Sequence, residues 1–212
     1  MKHKFHFLIF LLFFGCFSAQ DKEKKSMATF GLMSSFINQR WTLGYIHKIS
    51  DRFRVGVDMG YGAKGIVVAP VKIGEDFTSY ELRPAFYYSL ATDSVLKHFV
   101  GADFFYIRAN RTLTHSYFFD DYKYYWADAA NVERSKTGAN LTYSILLHKE
   151  TSRIAFMPKI GFGLRYLDEK YRNAVNLTES EPPIDGFPII SDAPREGTKF
   201  NFDIDIKLVY KF

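Results

Sequence analysis

Phe200-Asn201-Phe202-Asp203-Ile204-Asp205-Ile206-Lys207-Leu208-Val209-Tyr210-Lys211-Phe212 carries an apolar or aromatic side chain at every even position. The odd positions are polar or charged from Asn201 to Lys211, with Val209 as the exception. A helix of period 3.6 would spread the even set around its axis, whereas a strand places it on one face. The stretch therefore predicts a β-strand with one apolar and one polar face. It is long enough to cross a bilayer at the usual strand tilt.

The same period of two recurs upstream. Strands are expected over 29–36, 40–49, 53–61, 80–90, 99–110, 136–147 and 154–166, which with 200–212 makes eight. In 53–61, Phe53, Val55, Val57, Met59 and Tyr61 oppose Arg54, Gly56, Asp58 and Gly60. In 154–166, Ile154, Phe156, Ile160, Phe162, Leu164 and Tyr166 oppose Lys159, Gly161, Gly163 and Arg165. The connections 50–52, 91–98 and 148–153 are short, and 63–79, 111–135 and 167–199 are long. That alternation suits an up-and-down barrel with short turns on one rim and long loops on the other. Connection 37–39 is the exception, being short on the long-loop rim.

Alternation alone allows a soluble barrel with an apolar pocket or a membrane barrel with an apolar exterior. The charged face is also the glycine face, holding Gly44, Gly56, Gly60, Gly101, Gly138, Gly161 and Gly163. Small residues suit a crowded lumen better than a solvated surface. Aromatics cluster near strand ends on the other face, as in membrane-interface girdles. The expected fold is an all-β, eight-stranded antiparallel transmembrane barrel with a polar, glycine-lined lumen and an apolar aromatic exterior.

The start of the chain reads as an export signal. Lys2, His3 and Lys4 precede the apolar run Phe7 to Phe14, and small residues follow up to Ala19. This predicts a signal peptide over 1–19, a short periplasmic segment over 20–27 and the barrel over 28–212. Cys16 permits a lipoprotein reading, although Phe14 departs from that pattern. The remaining composition agrees with export and a barrel. The 212 residues include 22 Phe, 14 Tyr and 2 Trp but one Cys, which disfavours a disulfide scaffold or a cysteine zinc site. The formal net charge of +5 forms no basic stripe, so no nucleic-acid partner is expected.

With its export signal, eight alternating strands and terminal Tyr210-Lys211-Phe212, the sequence resembles the small eight-stranded outer-membrane barrels of Gram-negative bacteria, the OmpA/OmpX-like group. Segments Leu43-Gly44-Tyr45, 55–62 and 160–164 are also similar to uncharacterised barrel families of the Bacteroidota. The likeness implies residence in the cell outer membrane, contact with its lipid and lipopolysaccharide, and delivery by the outer-membrane assembly machinery. Tyr210 and Phe212 would then form the assembly signal.

Ten charges fall on the inward face: Arg54, Asp58, Glu81, Arg83, Asp103, Lys159, Arg165, Asp203, Asp205 and Lys207. Five acids against five bases predict a mutually paired plug, because unpaired charges in a tight lumen carry a large desolvation cost. A narrow ion path is the alternative. Between 116 and 126 lie Tyr117, Phe118, Phe119, Tyr122, Tyr124, Tyr125 and Trp126, with Asp120 and Asp121 among them. This predicts either a contact surface for an extracellular protein or glycan, or an extension of two strands past the membrane. The proline-bearing loop 167–199 is expected to be irregular. An enzyme of the lipid A deacylase or acyltransferase kind would need His115 and Ser116 at the rim. Adjacent residues of an extended chain point to opposite sides, so no catalytic, cofactor or metal site is expected.

Overall fold

Eight strands close an antiparallel ring in the computed structural model, which describes residues 25–68, 75–90, 96–120, 123–148, 152–181 and 196–212. The expected signal segment, Cys16 and all four prolines of the last long loop lie outside these residues. The ring strands are β1 (Ser26–Gly31), β2 (Trp41–Lys48), β3 (Phe53–Ala63), β4 (Glu75–Ser89), β5 (Leu96–Asp120), β6 (Lys123–His148), β7 (Ile154–Val175) and β9 (Glu196–Lys211). Each pairs with the next in chain order, β7 pairs with β9, and β9 closes on β1 through Met27↔Lys211 to Gly31↔Lys207. Backbone bonds between Ser26 and Phe212 seal the short-turn rim. Closure leaves no free edge within the barrel wall, which a strand crossing lipid requires.

The exterior follows the period-two reading. Leu43, Met59, Leu82, Phe86, Phe104, Leu141, Phe162, Leu164, Phe202 and Ile204 are all exposed on it. Such a continuous apolar belt is far larger than a water-facing protein carries, and hydrocarbon is the solvent that suits it. Rings mark both edges of the belt. Towards the long-hairpin rim, Trp41 stacks on Phe30 at 5.3 Å and Tyr61 meets Tyr80 at 5.3 Å, with Tyr106 and Tyr166 exposed at the same level. Towards the short-turn rim, Phe53 packs edge-on to Tyr88 at 5.1 Å, and Phe212 lies against Tyr45 and Tyr210. The chain is a transmembrane β-barrel.

Four elements differ from the sequence expectation. The first strand stops at Gly31, and Ser34–Ile37 forms a single helical turn, α1. The turn folds inward: Ser35 is fully buried, and the Ser34 hydroxyl donates to the Gly31 carbonyl at 3.0 Å. Gln39 leaves the turn at φ 56°, and its carbonyl sits where a Cβ on Gly62 would be, 2.1 Å away. Only glycine allows that approach.

Secondly, connection 111–135 is almost entirely strand. β5 and β6 stay paired without a register change through Tyr117↔Trp126 to Asp120↔Lys123. Beyond the girdle pair Tyr106↔Thr137 the hairpin continues for more than about 40 Å at the usual rise per residue.

Thirdly, 167–199 opens as strand. β7 runs to Val175, and a short strand β8 (Thr178–Ser180) adds to β6 opposite Tyr124 to Trp126. Fourthly, β4 begins at Glu75, inside the expected loop 63–79. Bulges at Asp76 and Asn173, both at positive φ, shift the pairing by one residue and so break the alternation that sequence reading relies on.

Candidate functional site

The lumen is divided along its axis into two packed layers and an open mouth. At the short-turn end Met27, Ile46, Tyr87, Phe99, Leu146, Met157 and Val209 pack into an apolar stopper. The expectation of a polar, glycine-lined lumen did not anticipate this layer, although Tyr87 and Val209 stand at inward positions in the sequence. Inward apolar residues at odd or even positions near one strand end, such as Phe99 and Val209, carried the signal. Arg54 belongs to this layer, its guanidinium 5.6 Å above the Phe99 ring.

The middle layer is an ion-pair network centred on Arg83 of β4. Its guanidinium donates to Glu81 at 2.7 Å, to Asp203 at 2.9 Å and to Asp103 at 3.3 Å, and lies 5.1 Å from the Phe105 ring. Lys159 of β7 joins the same acids, at 3.0 Å from Asp103 and 2.8 Å from Asp203. Asn140 donates to Asp103 at 2.8 Å and accepts from Asn201 at 2.8 Å. Lys207 pairs with Asp58, and Arg40 pairs with Glu81. All these groups are buried, so the pairing is what makes their charged state tolerable.

Of the ten inward charges expected, seven join these ion pairs. Asp205 accepts the Ile206 amide at 2.9 Å, and Arg165 donates to Asn201 at 3.4 Å. Arg40 was not among the ten, although it shares the inward parity of Thr42 and Gly44. The space left among Asp58, Glu81, Arg83, Lys159, Asp203 and Asp205 is about 10 Å³, room for about one water molecule. Among the described residues, two packed layers in series fill the lumen below its outer mouth. Planar-bilayer recording of the purified protein is therefore expected to show no stable channel of porin size, and such a channel would refute the plug.

Above the network, outside the girdle level, the lumen widens into a vestibule of about 200 Å³. Its walls are the segment Ile37 to Arg40, Phe77 and Ser79 of β4, Ile107 to Arg111 of β5 and Val132 to Lys136 of β6. Arg134 is ion-paired with Glu169, which also accepts from the Tyr171 hydroxyl at 2.8 Å. Burial opposes ionisation of Glu169, but Arg134 beside it outweighs that and holds the carboxyl below its usual range. Lys136 is also shifted down, which for an ammonium disfavours the charged form. Burial, reinforced by Arg134, Arg165 and Arg40, lowers it to about 8.

The aromatic segment expected as a contact surface forms the tip of the β5–β6 hairpin. Tyr117 is exposed and packs edge-on to Trp126 at 4.5 Å, and β8 flanks Tyr124 and Tyr125. Phe118 and Phe119 pair through backbone with Tyr125 and Tyr124, while Tyr122 lies outside the described residues. Of the two sequence readings, the strand extension is the geometry found.

His115 sits at φ 47° with its ring 6.4 Å from Trp126, and Asp128 accepts from Asn176 at 2.6 Å. Elsewhere His98 bonds the Tyr143 hydroxyl at 2.6 Å, on the outer wall. Among the described residues no three His, Cys, Asp or Glu side chains converge as metal ligands. Tyr210 and Phe212 place their rings together at the short-turn rim, where Arg153 donates to the Tyr210 hydroxyl at 3.3 Å.

No family model matches the sequence, and no curated protein matches it. Among solved structures the chain is similar to Acinetobacter baumannii CarO, with a TM-score of 0.43 and 10% identity over 92% of this chain and 100% of that one. The closed ring, the apolar belt and the charged lumen of this chain define its class on their own.

Proposed function

We propose that this protein is an outer-membrane barrel akin to the OmpA/OmpX-like group. In this reading the barrel is an anchor, and the β5–β6 hairpin with β7 and β8 is a contact surface for a protein or glycan outside the cell. The observation that carries the reading is the hairpin itself, which continues far past the girdle and ends in Tyr117, Tyr124, Tyr125 and Trp126. A strand pair that served only to cross lipid would turn at the interface. Rigid aromatics give large contact area at low entropy cost, which suits either sugar stacking or protein hot spots. The short turns and the Ser26–Phe212 seam would face the periplasm, the usual side for short turns in such barrels.

Membrane fractionation and gel mobility before and after boiling test the location, and a soluble protein with no heat-dependent shift refutes it. Replacing 116–126 by a Gly/Ser linker tests the contact role. The variant is expected to insert and keep its heat shift, yet lose surface binding to cells, glycan arrays or phage. Unchanged binding in every assay refutes the contact surface. Altered lipid A acylation on His115→Ala alone would replace it with the enzymatic reading.

A further inference from the structure

The plug and the vestibule obey different charge rules. In the middle layer Arg83 and Lys159 each meet at least two carboxylates. In the vestibule two cations are matched, Arg40 by Glu81 and Arg134 by Glu169. Three more lie in or near the same space with no ion-pair contact to a carboxylate among the described residues, and Glu169 acts on Lys136 and Arg111 only from beyond that distance. Lys136 and Arg111 line the cavity. Arg165 stands close enough to Lys136 to disfavour its charge, and its buried Nε has no hydrogen-bond partner. A structural plug gains nothing from like charges held together in a half-buried pocket, since each one raises the cost of the others. A concave site lined by one sign of charge concentrates counter-ions instead.

We infer that the vestibule is a binding site for a small free oxyanion, with inorganic phosphate or a phosphomonoester as the fitting class. Three points support this assignment over other ligands. The cavity of about 200 Å³ is below the size that takes drug-like solutes, so the ligand is small. Arginine forks and a lysine ammonium suit a tetrahedral oxyanion with several acceptor oxygens. A dianion cancels most of the unmatched positive charge, which a monoanion such as chloride does not. The ion-pair network beneath forms the floor, so the site is a dead end and holds its ligand without passing it on. This inference does not depend on the contact role of the hairpin.

The test is isothermal titration calorimetry of the full chain, folded in detergent micelles, with inorganic phosphate against chloride at matched ionic strength. Saturable phosphate binding is expected, with no comparable chloride signal. Lys136→Gln and Arg111→Gln are each expected to weaken it at least about tenfold, the scale of one charge-assisted hydrogen bond. Lys170→Gln, at an exposed site on β7, is expected to leave it unchanged.

A sulfate titration, whose ligand keeps its charge, gives a second measurement if a neutral variant misfolds. Lys136 faces Arg134, Arg165, Arg40 and Glu169, and its lowered value means the ammonium is lost as pH rises through about 8. Sulfate affinity should fall across that range in the native protein and stay level in Lys136→Arg. The inference is overturned by non-saturable phosphate binding, by unchanged affinity in both neutral variants, or by binding confined to lipopolysaccharide with none for inorganic phosphate.

Discussion

Arg83→Met is expected to destabilise the folded barrel by about 3–5 kcal/mol, the range found when one partner of a buried ion pair is removed. Three carboxylates lose a donor at once: Glu81, Asp103 and Asp203. Arg40 still faces Glu81 and Lys159 still faces the two aspartates, so the network is weakened without being stripped. Adding Asp203→Asn should recover part of the loss, because it removes one of the charges left short of a partner. Arg83→Lys should rescue poorly, since a single ammonium cannot hold three carboxylates in the geometry of a planar fork. Urea unfolding in lipid vesicles measures all three. A loss below about 1 kcal/mol for Arg83→Met would mean that the lumen is wet and the network screened.

Leu141→Arg is expected to cost about 2–4 kcal/mol and to reduce insertion, because a cation on the lipid face near the midplane has no partner. Leu141 is 75% exposed, lies on β6 between the two girdles, and points away from the lumen that its neighbour Asn140 enters. The same change at Thr137, level with Tyr106 and Tyr166, should cost about 0–1 kcal/mol because arginine there reaches the interface. The pair separates a bilayer-facing wall from a water-facing one. In water an arginine would improve the solubility of an exposed leucine site, so a stabilised, more soluble Leu141→Arg would refute the membrane reading. The readout is the folded fraction by heat-shifted gel mobility across a urea series.

The strands that cross the bilayer were legible because lipid and lumen impose opposite polarities on successive side chains. That is why Phe200 to Phe212 could be read residue by residue, and why all but the first membrane strand was expected close to where it lies. Past the girdle this constraint disappears. β5 and β6 beyond Tyr106 and Thr137 carry no lipid-facing code, so the sequence left a long loop and a strand extension equally open there. The first strand failed for another reason. Its even-position pattern runs on through Leu32 and Phe36, but Ser34 finds hydrogen-bond partners and Ser35 finds burial inside the barrel mouth, which no local pattern reports.

Period-two alternation by itself determined the strand number, the inward and outward faces and most of the inward charges, since parity along a strand is a local property. Tertiary structure alone decided which charge meets which, because Arg83 of β4 and Asp203 of β9 become neighbours only when the ring closes β9 onto β1. It also decided that Arg40 completes the plug while Lys136 and Arg111 collect in the vestibule above it, with Arg165 near Lys136. Net charge over the inward face was balanced in sequence. Its distribution along the barrel axis depends on the stagger between strands, and that stagger is set by closure of the whole sheet.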